Sequence, residues 1–304
     1  MKNAAPYIIK TITDLHRLFA LPKPDHPLIS VIDFKVLSYR HSDIWRHFTN
    51  DFYCITIKQG TNAALKYGQR DYDFEEGIMT FTKPGQVFAV TSIQDNPVEG
   101  YMLVFKHELL RGYPLAQTIR QYGFFDYNVA EALHLAEKEE KIITALLQQM
   151  QQELRSNIDR FSQDVMVSQM ELLLNYANRF YNRQFITRKG MNNDLLSKME
   201  ALLIDYFQGQ QLQSEGLPKV NYLAGEMNLS PGYLSDMLRN LTGQNTQQYI
   251  QSFFIEHAKK LLTTTSLTVS EIAYHFGFQY PQSFNKLFKN KTNQTPLQFR
   301  ASFG

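Results

Sequence analysis

Gln282, Asn285, Lys286 and Lys289 stand at i, i+3, i+4 and i+7, so an α-helix carries all four on one side. The carboxamides of Gln282 and Asn285 match the donor and acceptor pattern of adenine, and the Lys286 ammonium suits the acceptors of guanine or a phosphate. From Lys286 to Arg300 there are four basic residues and no acid. Such a face could address nucleic acid. The plain alternative is a helical hairpin whose lysines are merely solvated.

The surrounding residues supply the elements such a face needs. Thr268-Val-Ser-Glu271 has the form of a capping box and opens a helix whose inner side is Ile272, Ala273 and Phe276. Gly277 provides a residue that accepts positive φ where the chain must turn. Pro281, favoured at the first helical position, opens a second helix with Phe284, Leu287 and Phe288 inward. The segment has an earlier counterpart. Leu223-Ala-Gly-Glu-Met-Asn-Leu229 aligns with Ile272-Ala-Tyr-His-Phe-Gly-Phe278 at an offset of 49, and Leu234 and Leu238 align with Phe284 and Phe288 at an offset of 50. Asn228 stands in the place of Gly277, and Ser230-Pro231 opens the counterpart's second helix. Between the copies, Thr246 to Leu262 reads as a connecting helix. Two units on one connector are harder to obtain by accident than one.

The 304-residue length fits two domains, and a hydrophobic content of 43% suffices for ordinary cores. The net charge of +2 is nearly neutral, so any basic surface is local. The lone cysteine, Cys54, excludes an intramolecular disulfide and a cysteine-based zinc cluster. With no secretory h-region and no long apolar span, a soluble cytoplasmic protein without membrane partners is expected.

Residues 12–19 show a short helical pattern, followed by a proline-rich break at 21–27. From about 28 to 105, runs rich in Val, Ile, Phe, Tyr and Thr alternate with turn residues and predict strands at Ile29–Leu37, Phe52–Lys58, Ala63–Tyr67, Gly77–Phe81, Gln86–Thr91 and Gly100–Phe105. Strands at this spacing favour a small barrel or sandwich, and a barrel of about eight strands can enclose one small ligand. Two amphipathic helices follow over about 130–155 and 161–181, predicted to form an antiparallel pair that packs on the barrel or on a second subunit. The polar stretch 186–193, containing Gly190, is the expected linker. From 194 to 304 the chain reads as helical.

The C-terminal residues resemble the DNA-binding domain of the AraC/XylS family of bacterial transcription regulators. The resemblance rests on Leu223-Ala224, Leu229-Ser-Pro-Gly-Tyr-Leu234, Thr242-Gly243, Ile272-Ala273, Gly277-Phe278, Phe284, Phe288-Lys289, Thr295-Pro296 and Phe299-Arg300, spread over about eighty positions. Asn293, which tolerates the left-handed conformation, stands where the family usually has glycine. The N-terminal region resembles the family's cupin-like effector and dimerisation domain more loosely. The resemblance thus implies an α+β multidomain chain. Residues 1–185 would form a cupin-like β-barrel with a helical hairpin, and 194–304 an all-α domain with two helix-turn-helix units.

It further implies a regulator, commonly an activator, that binds double-stranded DNA, works with RNA polymerase, forms a homodimer and answers to a small-molecule effector. Matching positions make Gly232, Ser235, Asp236 and Arg239 base-facing in the first unit, and Pro281, Gln282, Asn285 and Lys286 in the second. Asp236 could accept from cytosine N4 or pair locally with Arg239, three positions on. Phosphate contacts are expected at the helix starts near Ser230, Tyr280 and Thr295, where free N–H groups favour anions, with Lys289, Lys291 and Arg300 adding charge. Six such contacts would give a slope of log K against log salt near −5.

A metal-dependent cupin enzyme fused to a DNA-binding domain is the alternative from another class. Gly77 through Pro84-Gly85 resembles the second cupin motif, yet Phe88 stands where a ligand histidine is usual. No H-x-H occurs, and His41 and His47 lie six apart near Trp45. Neither a metal nor another cofactor is expected, and no catalytic residue is assigned. Cys54 has no neighbouring base to activate it. His107, His134, His257 and His275 fall singly, and Glu137-Lys-Glu-Glu-Lys141 reads as a solvated helix face.

Overall fold

The computed structural model describes residues 6–37, 44, 47–59, 77–88, 99–209 and 211–303. The chain divides into two compact units, Met1–Gln184 and Phe185–Gly304. In chain order the first contains β1 (Tyr7–Ile9), α1 (Ile12–Leu18), β2 (Ile29–Asp33), β3 (Phe48–Asn50), β4 (Tyr53–Gln59), β5 (Ile78–Thr82), β6 (Val87–Phe88), β7 (Glu99–Phe105), α2 (Leu115–Thr118), β8 (Leu133–His134) and α3 (Glu137–Arg155). It ends in α4 (Ser162–Thr187), whose last turn carries the chain into the second unit.

The strands form a five-stranded antiparallel sheet, ordered β2-β7-β4-β5-β8, and a three-stranded sheet, β1-β3-β6. Alternation along the strands puts Ile32, Cys54, Met102 and Val104 on one face of the larger sheet. There they meet Ile9, Ile12, Leu15, Phe19 and Phe52 in a buried cluster. The opposite face carries Ile55, Tyr101 and Leu103, and α3 lies over β2 and β7 on that side. Gln148 donates to the Tyr101 hydroxyl at 3.0 Å, and Gln151 to the Val31 carbonyl at 3.3 Å. Ile143, Leu147 and Met150 form the buried stripe of α3, and each such side chain contributes about 2 kcal/mol by leaving water.

β8 is an edge strand, and side chains of α4 cover its open side. Gln184 is 1% exposed; its amide accepts from His134 N at 2.8 Å and donates to Ala132 O at 3.2 Å. Arg183 donates to His134 O at 2.7 Å and pairs with Glu139, while Tyr181 donates to Glu131 O at 3.2 Å. These bonds satisfy backbone groups that β5 leaves unpaired. The ring of Tyr181 also stacks on Phe124, which sits 4.3 Å from Phe81 between centroids.

The second unit is helical throughout its described residues: α5 (Lys189–Gln208), α6 (Gln211–Glu215), α7 (Val220–Glu226), α8 (Pro231–Thr242), α9 (Thr246–Thr264), α10 (Val269–His275), α11 (Pro281–Thr292) and α12 (Pro296–Ala301). The central helix α9 touches α8, α10, α11 and α12. Its inward residues Ile250, Phe254, Ala258 and Leu262 are almost wholly buried. Tyr249 bonds Glu200 of α5, and burial together with that bond pushes the phenol well above its ordinary pKa.

Several expectations change. The helix expected from 130 begins instead at Glu137, because Leu133 is drawn into the sheet opposite Met79 and Glu139 turns back to Ala136 N at 3.0 Å. The strand expected over Ile29–Leu37 ends at Asp33, whose carboxylate accepts from Lys35 N and turns the chain into a short 3-10 segment. The linker expected over 186–193 is helical on both sides of Arg188. That single residue absorbs the break (φ −89°, ψ 27°), and an interior glycine such as Gly190 costs a helix only about 1 kcal/mol. The strand expected at Ala63–Tyr67, the end of that at Gln86–Thr91, and His41 and Trp45 lie outside the described residues.

The turn at Gly277 (φ +73°) packs closely. A Cβ there would lie 2.2 Å from the Leu212 carbonyl oxygen and 3.0 Å from Gly216 Cα. Gly243 (φ +75°) has open space around it. Gly243→Ala therefore carries only the left-handed strain of about 1–2 kcal/mol. Gly277→Ala must also displace α6 and is expected to cost at least about 3 kcal/mol. Urea denaturation of both variants checks this, and equal losses would refute the close contact.

Candidate nucleic-acid interface

The two helix pairs α7–α8 and α10–α11 repeat at the level of single hydrogen bonds. In the first turn Met227 N bonds Leu223 O, Asn228 N bonds Gly225 O and Leu229 N bonds Ala224 O; in the second, Phe276 N bonds Ile272 O, Gly277 N bonds Tyr274 O and Phe278 N bonds Ala273 O. Asn228 and Gly277 both take positive φ, +56° and +73°. Each second helix starts on proline and ends on a left-handed residue, Gly243 or Asn293. Just before that end, Thr242 and Thr292 each donate to the carbonyl four residues back and accept from the amide two residues on. The following helices, α9 and α12, open with matching capping boxes, Asn245/Gln248 and Thr295/Gln298. The duplication thus runs further than the apolar spacing reveals.

Burial separates the inner and outer sides of α8 and α11. Leu234, Met237 and Leu238 are fully buried in α8, as are Phe284 and Phe288 in α11. On the outer side of α8, Gly232, Ser235 and Asp236 are half-buried and Arg239 is exposed. On α11, Gln282, Lys286, Lys289 and Lys291 are exposed, and Pro281 and Asn285 are half-buried. Exposed Ser283 and Asn290 share the α11 face; their i−3 and i+4 spacing from Lys286 could have identified them in the sequence. Asn285 stands apart from its neighbours. Its Oδ1 is shielded from solvent and unpartnered, so a base contact requires this side chain to turn outward.

Asp236 accepts from Arg239 within α8, the local pairing weighed above. Three groups expected at phosphates are already engaged inside the protein. Ser230 is 4% exposed and its hydroxyl caps α8 by accepting from Tyr233 N at 3.2 Å. Thr295 caps α12 in the same way, with Gln298 N at 3.2 Å. Arg300 donates through Nε to the Leu262 carbonyl at 2.9 Å, a group in the last turn of α9 that has no helical partner. Tyr280 differs: it precedes α11 without a side-chain cap and is 65% exposed. The start of α11 thus lacks the side-chain cap that the start of α8 has. The two helices also differ in charge. The only ionic residues of α8 are Asp236 and Arg239, whereas α11 carries Lys286, Lys289 and Lys291 and no acid.

In the first unit, burial pushes the Cys54 thiol up to about 11, which suppresses the thiolate and any nucleophilic role. Among the described residues no group of three or more His, Cys, Asp or Glu side chains could hold a metal ion. A shallow cleft lined by Thr80, Phe124, Asn128 and Tyr181 has room for about one water molecule. Among the described residues no helix is long and apolar enough to cross a membrane.

Residues 33–165 match the AraC-like ligand binding domain, and residues 223–302 match a helix-turn-helix domain. The chain is 33% identical to the Msm operon regulatory protein of Streptococcus mutans over 82 residues, covering 27% of this chain and 30% of that protein. It is 31% identical to the transcriptional regulatory protein YesN of Bacillus subtilis over 112 residues, 36% of this chain and 29% of that one. Thus the chain spans less than a third of the length of these curated relatives. Among solved structures, the C-terminal domain of the response regulator yesN from Fusobacterium nucleatum is 33% identical, covering 33% of this chain and 96% of that one, with a TM-score of 0.29.

Because Arg300 satisfies an orphan carbonyl of α9, Arg300→Ala should lower stability by about 1–2 kcal/mol. Chemical denaturation measures the loss, and an unchanged midpoint would show that the Leu262 contact contributes nothing.

Proposed function

We propose that this chain, whose residues 33–165 and 223–302 match an AraC-like ligand binding domain and a helix-turn-helix domain, is a sequence-specific transcription regulator of the AraC type gripping double-stranded DNA with two helix-turn-helix units. The observation that carries the reading is the bond-for-bond duplication of α7–α8 and α10–α11 around one rigid connector, α9. Second helices of such units enter successive major grooves about 34 Å apart, so one chain reads a bipartite half-site. α8 offers Gly232, Ser235, Asp236 and Arg239 to base edges, and α11 offers Pro281, Gln282, Asn285 and Lys286. Gln282 and Lys286, both exposed, are the principal readers, selecting adenine and guanine respectively.

Residues 1–185 form the cupin-like sensing and assembly domain in this reading, and 194–304 the DNA reader. A small effector acting through the first domain, homodimerisation and contact with RNA polymerase belong to the same proposal, which assigns the protein to the cytoplasm as an activator and not an enzyme.

Two measurements test the reading. Gln282→Ala and Lys286→Ala should each weaken the cognate site by roughly 1–3 kcal/mol and leave other sequences little changed. Equal weakening on every duplex would make both residues positioning groups rather than readers. The Ser230 and Thr295 hydroxyls cap their own helices and Arg300 Nε is engaged, while the remaining N–H groups of those helix starts stay available to phosphates. With roughly six phosphates engaged, log K should fall against log salt with a slope near −5. A salt-independent affinity would overturn the electrostatic grip.

A further inference from the structure

The duplication continues past the two helix pairs, but its two copies are finished differently. At an offset of 50 the openings of α9 and α12 coincide: Asn245 and Gln248 match Thr295 and Gln298, Tyr249 matches Phe299, and Phe253 matches Phe303. On α9 this aromatic pair is covered by α5. Tyr249 donates to the Glu200 carboxylate, and the Phe253 ring meets Phe207 at 5.6 Å between centroids. Glu200 and Phe207 stand seven residues apart and so share one side of α5. On α12 the corresponding pair is supported from beneath only. Phe299 packs on Phe288 at 5.6 Å and Phe303 on Phe299 at 5.0 Å, yet Phe303 is 68% exposed. Among the described residues its ring meets no other aromatic side chain, whereas Phe253 has both Phe207 and His257. We propose that the Phe299–Phe303 face is a docking surface for an acidic amphipathic helix of RNA polymerase, seated as α5 is seated on the equivalent face of α9. This inference rests on the regulator reading above and adds the surface that holds the partner.

The covered copy specifies the chemistry of the occupant. It is a helix that presents an aromatic ring to Phe303 and, two turns earlier, a carboxylate. Phe299 lacks the hydroxyl that Tyr249 offers to Glu200. The donor at this place is Lys259, whose ammonium stands 5.8 Å from the Phe299 ring centroid. Lys259 pairs with Glu256, but that carboxylate is 71% exposed, and such a surface pair contributes little. A second carboxylate can therefore join the ammonium. From Ile272 to Gly304 the chain has four basic residues and no acid, so the second copy itself opposes an acidic helix with no like charge. Covering Phe303 with a partner ring supplies the apolar contact. Moreover, α12 directly follows α11, the helix proposed to enter the groove. Polymerase bound beside that groove is thus at high effective concentration at this face.

The test uses the full-length protein, purified RNA polymerase and a promoter duplex carrying a site selected from random sequence. Phe303→Ser and Lys259→Glu each change the face without altering α8 or α11, and both variants should bind the duplex alone as wild type does. The gain in affinity that polymerase and regulator confer on each other should fall at least about fivefold in both. Phe253→Ser serves as the stability control. It should lower the urea midpoint, because Phe207 covers that ring, while Phe303→Ser should leave the midpoint unchanged. The docking surface is refuted if both variants keep the full mutual gain, if wild type shows none, or if Phe303→Ser loses stability as Phe253→Ser does. A wild-type dimer that Phe303→Ser converts to monomer would also refute it, since the face would then hold a second copy. In each of these cases duplex binding by wild type still supports the DNA reading. Failure of the wild-type chain to bind any duplex would overturn both.

Discussion

The placement of α11 depends on one ring. Phe254, fully buried in α9, meets Phe276 edge-on at 4.8 Å, Phe278 at 5.6 Å and Phe284 at 6.0 Å between centroids. These three rings come from the end of α10, the residue after the turn, and the first turn of α11. A single side chain of the connector therefore fixes both arms of the turn at once. Interiors pack as densely as crystals, so a shift of that ring is passed on to α11 rather than absorbed. The first pair is held differently, by Leu223, Leu234, Met237 and Leu238 and by the contact of Phe185 with Tyr233 at 5.2 Å.

This architecture explains why the helical unit was largely readable from the amino acids. Helix starts, left-handed turn residues and inward positions are local properties, and Thr268/Glu271, Gly277, Pro281 and Phe284 each express one. What stayed hidden is non-local. Arg300 looks like a cation for phosphate until the end of α9, 38 residues earlier, is folded against it. Ser230 was readable as a cap, but its nearly complete burial depends on surrounding residues. The start of α3 was misplaced because Leu133 fits a helical apolar stripe as well as it fits a strand, and only its pairing with Met79 decides. The amide of Gln184 gave no sign at all, since its task is to complete the hydrogen bonding of a strand some fifty residues away.

The candidate interface combines sameness of backbone with difference of surface. Identical turn bonds keep α8 and α11 in equivalent local settings, so their side chains can diverge without disturbing the support beneath them. The divergence is in charge and capping: one helix is neutral and capped by a side chain at its start, the other cationic and without that cap. One duplicated scaffold thus carries two unlike faces.

The contact beneath the Gly277 turn carries one more consequence. It is made by main-chain atoms of Leu212 and Gly216, not by side chains. The contact therefore specifies the path of the backbone through 212–216 rather than the side chains beside it. Length is the quantity held fixed: one residue inserted between Leu212 and Gly216 would move the shelf on which the second turn rests.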